Sequence, residues 1–192
     1  MYGILGEDKS DVETLKVLIR RLQISHNRPI VGIRGIGYGG TGELIKTGAQ
    51  GLSNLAGNGC TKFVISRDAD CKNTDELRAQ IAEKIIRPSG VSACICVLIP
   101  VQEIEAWLLA DIGSASRIFT GWKPKEISNP ESIVNPKEHL EKLSRKENQQ
   151  PRYRHAVHNP KLAEHVDLAI IAKRCPSFRP LENLVFQGKS NL

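Results

Sequence analysis

Four acidic side chains stand where two apolar runs end. Glu7 follows the run Tyr2–Gly6, with Asp11 four residues further on, and Asp68 and Asp70 follow the run Lys62–Ser66 as Asp-Ala-Asp. In extended chain, residues i and i+2 point the same way, so both aspartates are expected to face one ion. If the two runs are neighbouring strands, all four carboxylates meet at one edge. Unpaired carboxylates held together repel one another, and a bound cation relieves that. Hard ions such as Mg²⁺ take carboxylate oxygens and keep several waters. The rival reading of any single residue is local: strand-ending aspartates cap helices or form turns, as Asp70 could near Asn73.

A fifth acid, Glu105, lies in a short helical stretch expected over residues 102–110. At about 100° per residue, Ile104, Trp107 and Leu108 define its apolar face. Glu105 projects between Leu108 and Leu109, away from the polar side where Glu103 lies. A carboxylate on a buried face needs a metal or a partner such as an arginine. Glu105 therefore joins Glu7, Asp68 and Asp70 as a candidate catalytic group, and with Asp11 these form the candidate metal ligands. Lys72, Lys137, Arg152 and Arg154 are the bases that could neutralise charge on a bound nucleic acid.

Other motifs are weaker. Gly35-x-Gly37-x-x-Gly40 has the spacing of a dinucleotide-binding loop. It follows the second apolar run instead of the first, and no acid stands in residues 55–63 to hold a ribose. It reads as turn chemistry, or at most as a loop that could approach a phosphate. His155 and His158 could shuttle protons or be surface charge. The five cysteines, Cys60, Cys71, Cys94, Cys96 and Cys175, are odd in number and fit no zinc spacing. Cys94 and Cys96 look like small core residues, and nothing else supports a thiol nucleophile at Cys71.

The elements that must position these groups alternate. Tyr2–Gly6 reads as a strand. A capping box, Ser10-x-x-Glu13, opens a helix whose apolar face is Val12, Leu15, Leu18, Ile19 and Leu22. Pro29–Ile33 reads as a second strand, Glu43–Leu55 as a glycine-weakened helix, and Lys62–Ser66 as a third strand. Asn73 caps a helix with Leu77, Ile81 and Ile85 inward, ended by Pro88 and Gly90. Ala93–Ile99 is an apolar fourth strand. The βαβαβαβα order predicts an α/β, doubly wound, mostly parallel sheet with helices on both faces. Ligand chemistry then collects at the carboxyl ends of its strands.

With 192 residues, 40% hydrophobic and 25% charged, the chain suits one soluble core. Residues 1–111 form the expected α/β core. Residues 112–192 read as a proline-broken, mainly helical elaboration of the same domain, with helices near 136–146 and 160–173. The first part carries 13 basic and 13 acidic residues and the second 14 and 8, so the net +6 lies in the second. Such basic surface attracts phosphate backbones. No apolar run of about 18 residues spans a membrane, and no secretory signal opens the chain, so the expected place is the cytoplasm. Residues 182–188, ENLVFQG, differ at one position from a tobacco etch virus protease site. They read either as an expression remnant or as native chain, since Leu181, Leu184 and Val185 continue an apolar pattern.

A glutamate after the first strand with an acid four residues on, then Asp-x-Asp after the third, resembles the TOPRIM domain of topoisomerases, DnaG-type primases and OLD nucleases. The segment PVQEIEAWLLAD, Pro100 to Asp111, with Asn135-Pro136-Lys137 and Cys175-Pro176-Ser177-Phe178, resembles small stand-alone TOPRIM-like proteins related to OLD nucleases, encoded beside ATPases in antiphage defence loci. The resemblance implies a Rossmann-like TOPRIM fold and a nuclease dependent on Mg²⁺ or Mn²⁺. The partners it implies are DNA or RNA and an ATPase encoded nearby, with a homodimer left open. Glu7 would be ligand or acid/base, Asp68 and Asp70 the metal pair, and Asp11 and Glu105 accessory acids. Asp8 departs from the pattern, standing where a glycine is usual. The second reading is a TOPRIM-like subunit that binds nucleic acid or a partner without chemistry of its own.

Overall fold

The computed structural model describes residues 1–146, 149–188 and 190–191. Four strands, β1 (Tyr2–Gly6), β2 (Ile33–Gly37), β3 (Lys62–Ser66) and β4 (Cys94–Leu98), form one parallel sheet in the order β2-β1-β3-β4. Tyr2 pairs with both Ile33 and Lys62, and Lys62 with Cys94. The fold is Rossmann-like α/β. β1 and β3 are neighbours, the condition that brings Glu7 and Asp68 to one edge.

The residues of β1, β3 and β4 alternate between two cores. Ile4, Val64, Cys96 and Leu98 face one cluster, shared with Leu15, Leu18 and Leu22 of α1 (Lys9–Ser25). Leu5, Phe63, Ile65, Ile95 and Val97 face the other, shared with Leu52 of α2 (Thr41–Gly57) and with Leu77 and Ile81 of α3 (Thr74–Ile81). α3 runs through a π-turn, Ala82–Ile86, into α4 (Arg87–Ser89), which ends at left-handed Gly90. Cover on both faces suits the apolar runs of β1, β3 and β4, while the edge strand β2 is more exposed and carries Arg34.

The second half completes the first cluster. It comprises α5 (Glu105–Ala110), α6 (Pro136–Ser144), α7 (His155–Ala163), α8 (Leu168–Arg174) and α9 (Arg179–Gln187). Leu140, Tyr153, Leu162, Ile171, Phe178, Leu181 and Leu184 are buried in the same core as Ile4 and Leu15. The described residues beyond 111 are thus one body with residues 1–111. Leu181, Leu184 and Val185 within this core make residues 181–185 part of the packed chain. No described helix is long and apolar enough to cross a membrane.

Several expectations are corrected. The capping box of α1 is made by Asp8 and Asp11, not Ser10 and Glu13: Asp8 Oδ1 accepts from the Asp11 amide at 2.9 Å, and Asp11 Oδ2 from the Asp8 amide at 3.4 Å. β2 is Ile33–Gly37, inside the glycine-rich stretch, and not Pro29–Ile33. The 102–110 helix begins at Glu105. The 160–173 helix is two, because Asp167 caps a fresh start by accepting from Ala169 and Ile170. The glycines of β2 serve close approach. A Cβ on Gly35 would lie 2.3 Å from Val12 Cγ1, and one on Gly37 2.6 Å from the Lys9 backbone nitrogen. They let the N-terminus of α1 press against the sheet.

Gly37→Ala must move that helix start. Urea unfolding should show a loss of about 1–3 kcal/mol, the usual cost of overpacking. Gly39→Ala, whose Cβ meets nothing within 4 Å, should change stability by roughly 0.5 kcal/mol or less. Equal effects of the two would refute the close-approach role.

Candidate functional site

At the carboxyl edge of the sheet the β3–β4 ladder runs on past Ser66. The Arg67 amide bonds the Leu98 carbonyl at 3.0 Å and the Ala69 amide the Pro100 carbonyl at 3.1 Å. Strand alternation therefore continues, sending Asp68 toward α1 and α5 and Arg67 toward α3. A type I′ turn ends the run. Asp70 and Cys71 both have positive φ, 47° and 63°, and the Lys72 amide closes onto the Ala69 carbonyl at 2.8 Å. Two consecutive left-handed non-glycine residues mark local strain, which concentrates at functional sites. Asp70 is consequently not in line with Asp68. It sits exposed at the rim, 3.9 Å from Lys72 Nζ.

The carboxylates form two facing groups. On the α1/α5 side stand Asp11, Asp68 and Glu105, with Glu103 and Lys137. Burial, then the Asp8 and Glu105 carboxylates, push the Asp11 carboxyl up to about 8. Burial, then Asp11, Glu105, Glu7 and Glu103, hold Asp68 well above the usual carboxylate range. On the α2 side stands Glu7, also raised: first by burial, then by Asp70, against the Thr41 hydroxyl, Arg67 and the Asp68 backbone. Its Oε1 is enclosed and has no hydrogen-bond partner.

Glu105 is 2% exposed, and its helix phase was legible in the sequence. Its partner is Asn159, fully buried on α7, which donates from Nδ2 to Glu105 Oε1 at 2.9 Å. Asn159 Oδ1 accepts from the Tyr153 hydroxyl, a buried group whose acidity burial and the nearby glutamates suppress. Burial raises the Glu105 carboxyl while the Asn159 bond and Lys137 pull it down. Neither Asn159 nor Tyr153 was singled out from sequence. The sequence signal was slight: both stand beside His155 and His158, in a basic stretch with no marked apolar face.

The rest of the Glu103–Asp111 segment is anchored the same way. Glu103 Oε2 accepts from the Lys137 amide at 2.9 Å and its Oε1 lies 3.5 Å from Lys137 Nζ. Trp107 Nε1 donates to Ser177 Oγ at 2.8 Å, and Asp111 Oδ2 accepts from the Asp167 amide at 2.8 Å. A small cavity of about 140 Å³, lined by Asp70, Cys71, Gln102, Glu103, Val134 and Asn135, opens at the rim.

The candidate bases separate. Lys137, expected on nucleic acid, lies among the acids. Burial lowers its pKa, but Glu105, Glu103, Asp68 and Asp11 outweigh that and leave it raised. Lys72 is exposed beside Asp70. Arg152 stacks on Phe119, 5.3 Å from the ring centroid, and bonds the Thr120 carbonyl at 3.2 Å. Arg154 is exposed on the lip of α7. His158 is bound to the Arg154 amide at 2.8 Å and lowered by burial, and the His155 carbonyl accepts from Ser10 Oγ at 3.1 Å. The His158 ring is thus tied to the backbone of its own helix start, while His155 is held through its carbonyl. Cys60, Cys96 and Cys175 are buried, Cys94 is partly so, and Cys71 is exposed.

Hard oxygen donors converging under mutual repulsion, with an orphaned Glu7 oxygen beside them, suit a divalent cation. Among the described residues, no three His, Cys, Asp or Glu side chains already surround one point at ligating distance. The assembly is an α/β domain with an acidic strand-end edge. The chain belongs to the family described as domain of unknown function (DUF4276), which it matches over residues 7–185. No curated protein and no solved structure matches it.

The raised acids give a signed pH dependence. Asp11, pushed up to about 8 from an ordinary 3.8, binds its proton more tightly in the native state. Stability should fall as pH rises between those values and level off above about 8. In EDTA, the melting temperature should drop from pH 5 to pH 8. Asp11→Asn, which keeps the capping acceptor, should drop less and melt higher than wild type at pH 8. Parallel melting curves for the two proteins would show that Asp11 is not under this repulsion.

Proposed function

We propose that this chain is a metal-dependent phosphodiesterase of the TOPRIM-like kind, a nuclease acting on DNA or RNA. The observation that carries the reading is the gathering of Asp11, Asp68 and Glu105, from three elements, at one poorly solvated edge, where burial, then the neighbouring carboxylates, push Asp11 up to about 8 and hold Asp68 raised. Such a group is strained at neutral pH unless a proton or a cation compensates it. Asp11, Asp68 and Glu105 would hold the ion, with Glu7 and Asp70 flanking it. A bound Mg²⁺ or Mn²⁺ polarises a phosphodiester and supplies hydroxide near neutral pH. The chain's own groups do the rest. Asn159 holds one Glu105 oxygen and leaves the other free, Lys137 balances the surrounding negative charge, and the Thr41 hydroxyl steadies Glu7.

An ATPase encoded nearby is the proposed partner, as the resemblance of Pro100–Asp111 to the defence-locus proteins implies. The second reading, a nucleic-acid or partner-binding subunit without chemistry, is favoured by Lys137, which already stands among the acids as their counter-ion.

The deciding assay offers plasmid, single-stranded DNA and tRNA to the protein with Mg²⁺ or Mn²⁺, with and without the neighbouring ATPase. Metal-dependent cleavage is expected. Asp68→Asn should lower it by at least the roughly 10–100-fold that changes around a metal site cost, with melting in EDTA unchanged or raised. No cleavage under any of these conditions, together with no metal-induced rise in melting temperature, would leave the binding-subunit reading in its place.

A further inference from the structure

We propose that the cleft between the end of β3 and α3 is a phosphate subsite, in which Arg67 grips a phosphodiester of the polynucleotide beside the acidic edge. This rests on the nuclease reading and names where the substrate's chain leaves the site. The cleft has a volume of about 580 Å³ and is lined by Arg67, Lys72, Glu76, Gln80, Glu83 and Lys84, among others.

Arg67 is the unusual group. Its residue is 6% exposed, yet no described carboxylate lies within ion-pair range of it. An arginine carries five N–H donors. One side-chain donor is used, Nη1 to Gln80 Oε1 at 2.5 Å. The others have no protein acceptor among the described residues. A buried guanidinium with a single neutral partner is costly, and phosphate oxygens match its fork in charge and geometry. The other cations of the cleft are already answered: Lys72 by Asp70 at 3.9 Å and Lys84 by Glu83 at 3.5 Å. Arg67 is therefore the cation left to meet a ligand.

Its position is dictated by the strand. Arg67 and Asp68 are consecutive in extended chain and point to opposite faces, Asp68 to the acids and Arg67 to the cleft. Arg67 also acts on the Glu7 carboxylate. A polynucleotide crossing this edge would meet the acidic group on one side and the guanidinium on the other.

The test measures binding of a fluorescent single-stranded oligonucleotide in EDTA, so that no metal is needed. Arg67→Gln is expected to weaken it at least tenfold. It should also flatten the dependence of log K on log salt by about 0.7 per lost phosphate contact. Because Arg67→Gln disturbs a buried residue, Gln80→Glu serves as the second variant. It places a carboxylate on the guanidinium without removing it, so melting temperature should hold or rise while oligonucleotide binding falls. Unchanged affinity and slope in folded Gln80→Glu would overturn the subsite. If wild type binds through Arg67 but never cleaves, the nuclease reading fails and the subsite stands. If wild type cleaves and Gln80→Glu leaves KM and binding untouched, the subsite alone fails.

Discussion

Holding several carboxylates together in a poorly solvated place is the constraint on which this fold turns. Each acid is favoured by water and disfavoured by its neighbours, so the backbone must hold them against both. Two devices do so. Parallel pairing of β1 with β3 sets the loop after Gly6 beside the loop after Ser66. Anchoring of the Glu103–Asp111 segment then brings Glu105 to the same edge. Glu103, Glu105, Trp107 and Asp111 each bond a group from residues 137–177. The second half is thus the clamp on the site and shares its core. A buried Glu105 without Asn159 would be an unpaired charge in apolar surroundings, a costly arrangement.

The sheet also divides what it gathers. Alternation places Asp68 with Asp11 and Glu105 on the α1/α5 face, while Glu7 and Arg67 stand on the α2/α3 face. The edge is therefore asymmetric, with a dense acidic group and one lysine on one side, and a single acid with a buried arginine on the other. A phosphodiester, anionic itself, is repelled by the bare acids. A phosphodiester substrate, as proposed, would need a cation between them and a positive group beyond them. The type I′ turn at Ala69–Lys72, with Asp70 and Cys71 both left-handed, reverses the chain between these two halves. Its strain is tolerated because Ala69 is buried and both of its backbone groups are bonded.

Much of this was legible in the order of residues. β1 and β3 fell where apolar runs end in acids, Asn73 capped α3, and the phase of a six-residue helix put Glu105 inward. These depend on short-range periodicity and on side chains bonding nearby backbone. The misreadings were also local. Asp8 and Ser10 can each cap a helix, and the winner was set by where Gly37 lets the α1 start sit. Glycines at 35 and 37 looked like loop because they lack β propensity, but strand pairing with β1 overrode that preference.

By itself the sequence determined the alternation of elements, the parallel sheet that alternation implies, and the acids at its strand ends. Side-chain period and chain connectivity are properties of neighbours along the chain. Only the tertiary structure decided that Lys137 stands among the acids, beside Glu103. It alone showed that Asn159 and Tyr153 hold Glu105, that Asp70 leaves the line of Asp68, and that Arg67 is buried without a carboxylate. Asn159 and Glu105 are 54 residues apart, and nothing in local composition distinguishes a buried amide from a surface one. Which charges meet depends on packing two halves of the chain into one core, and that packing is a property of the whole.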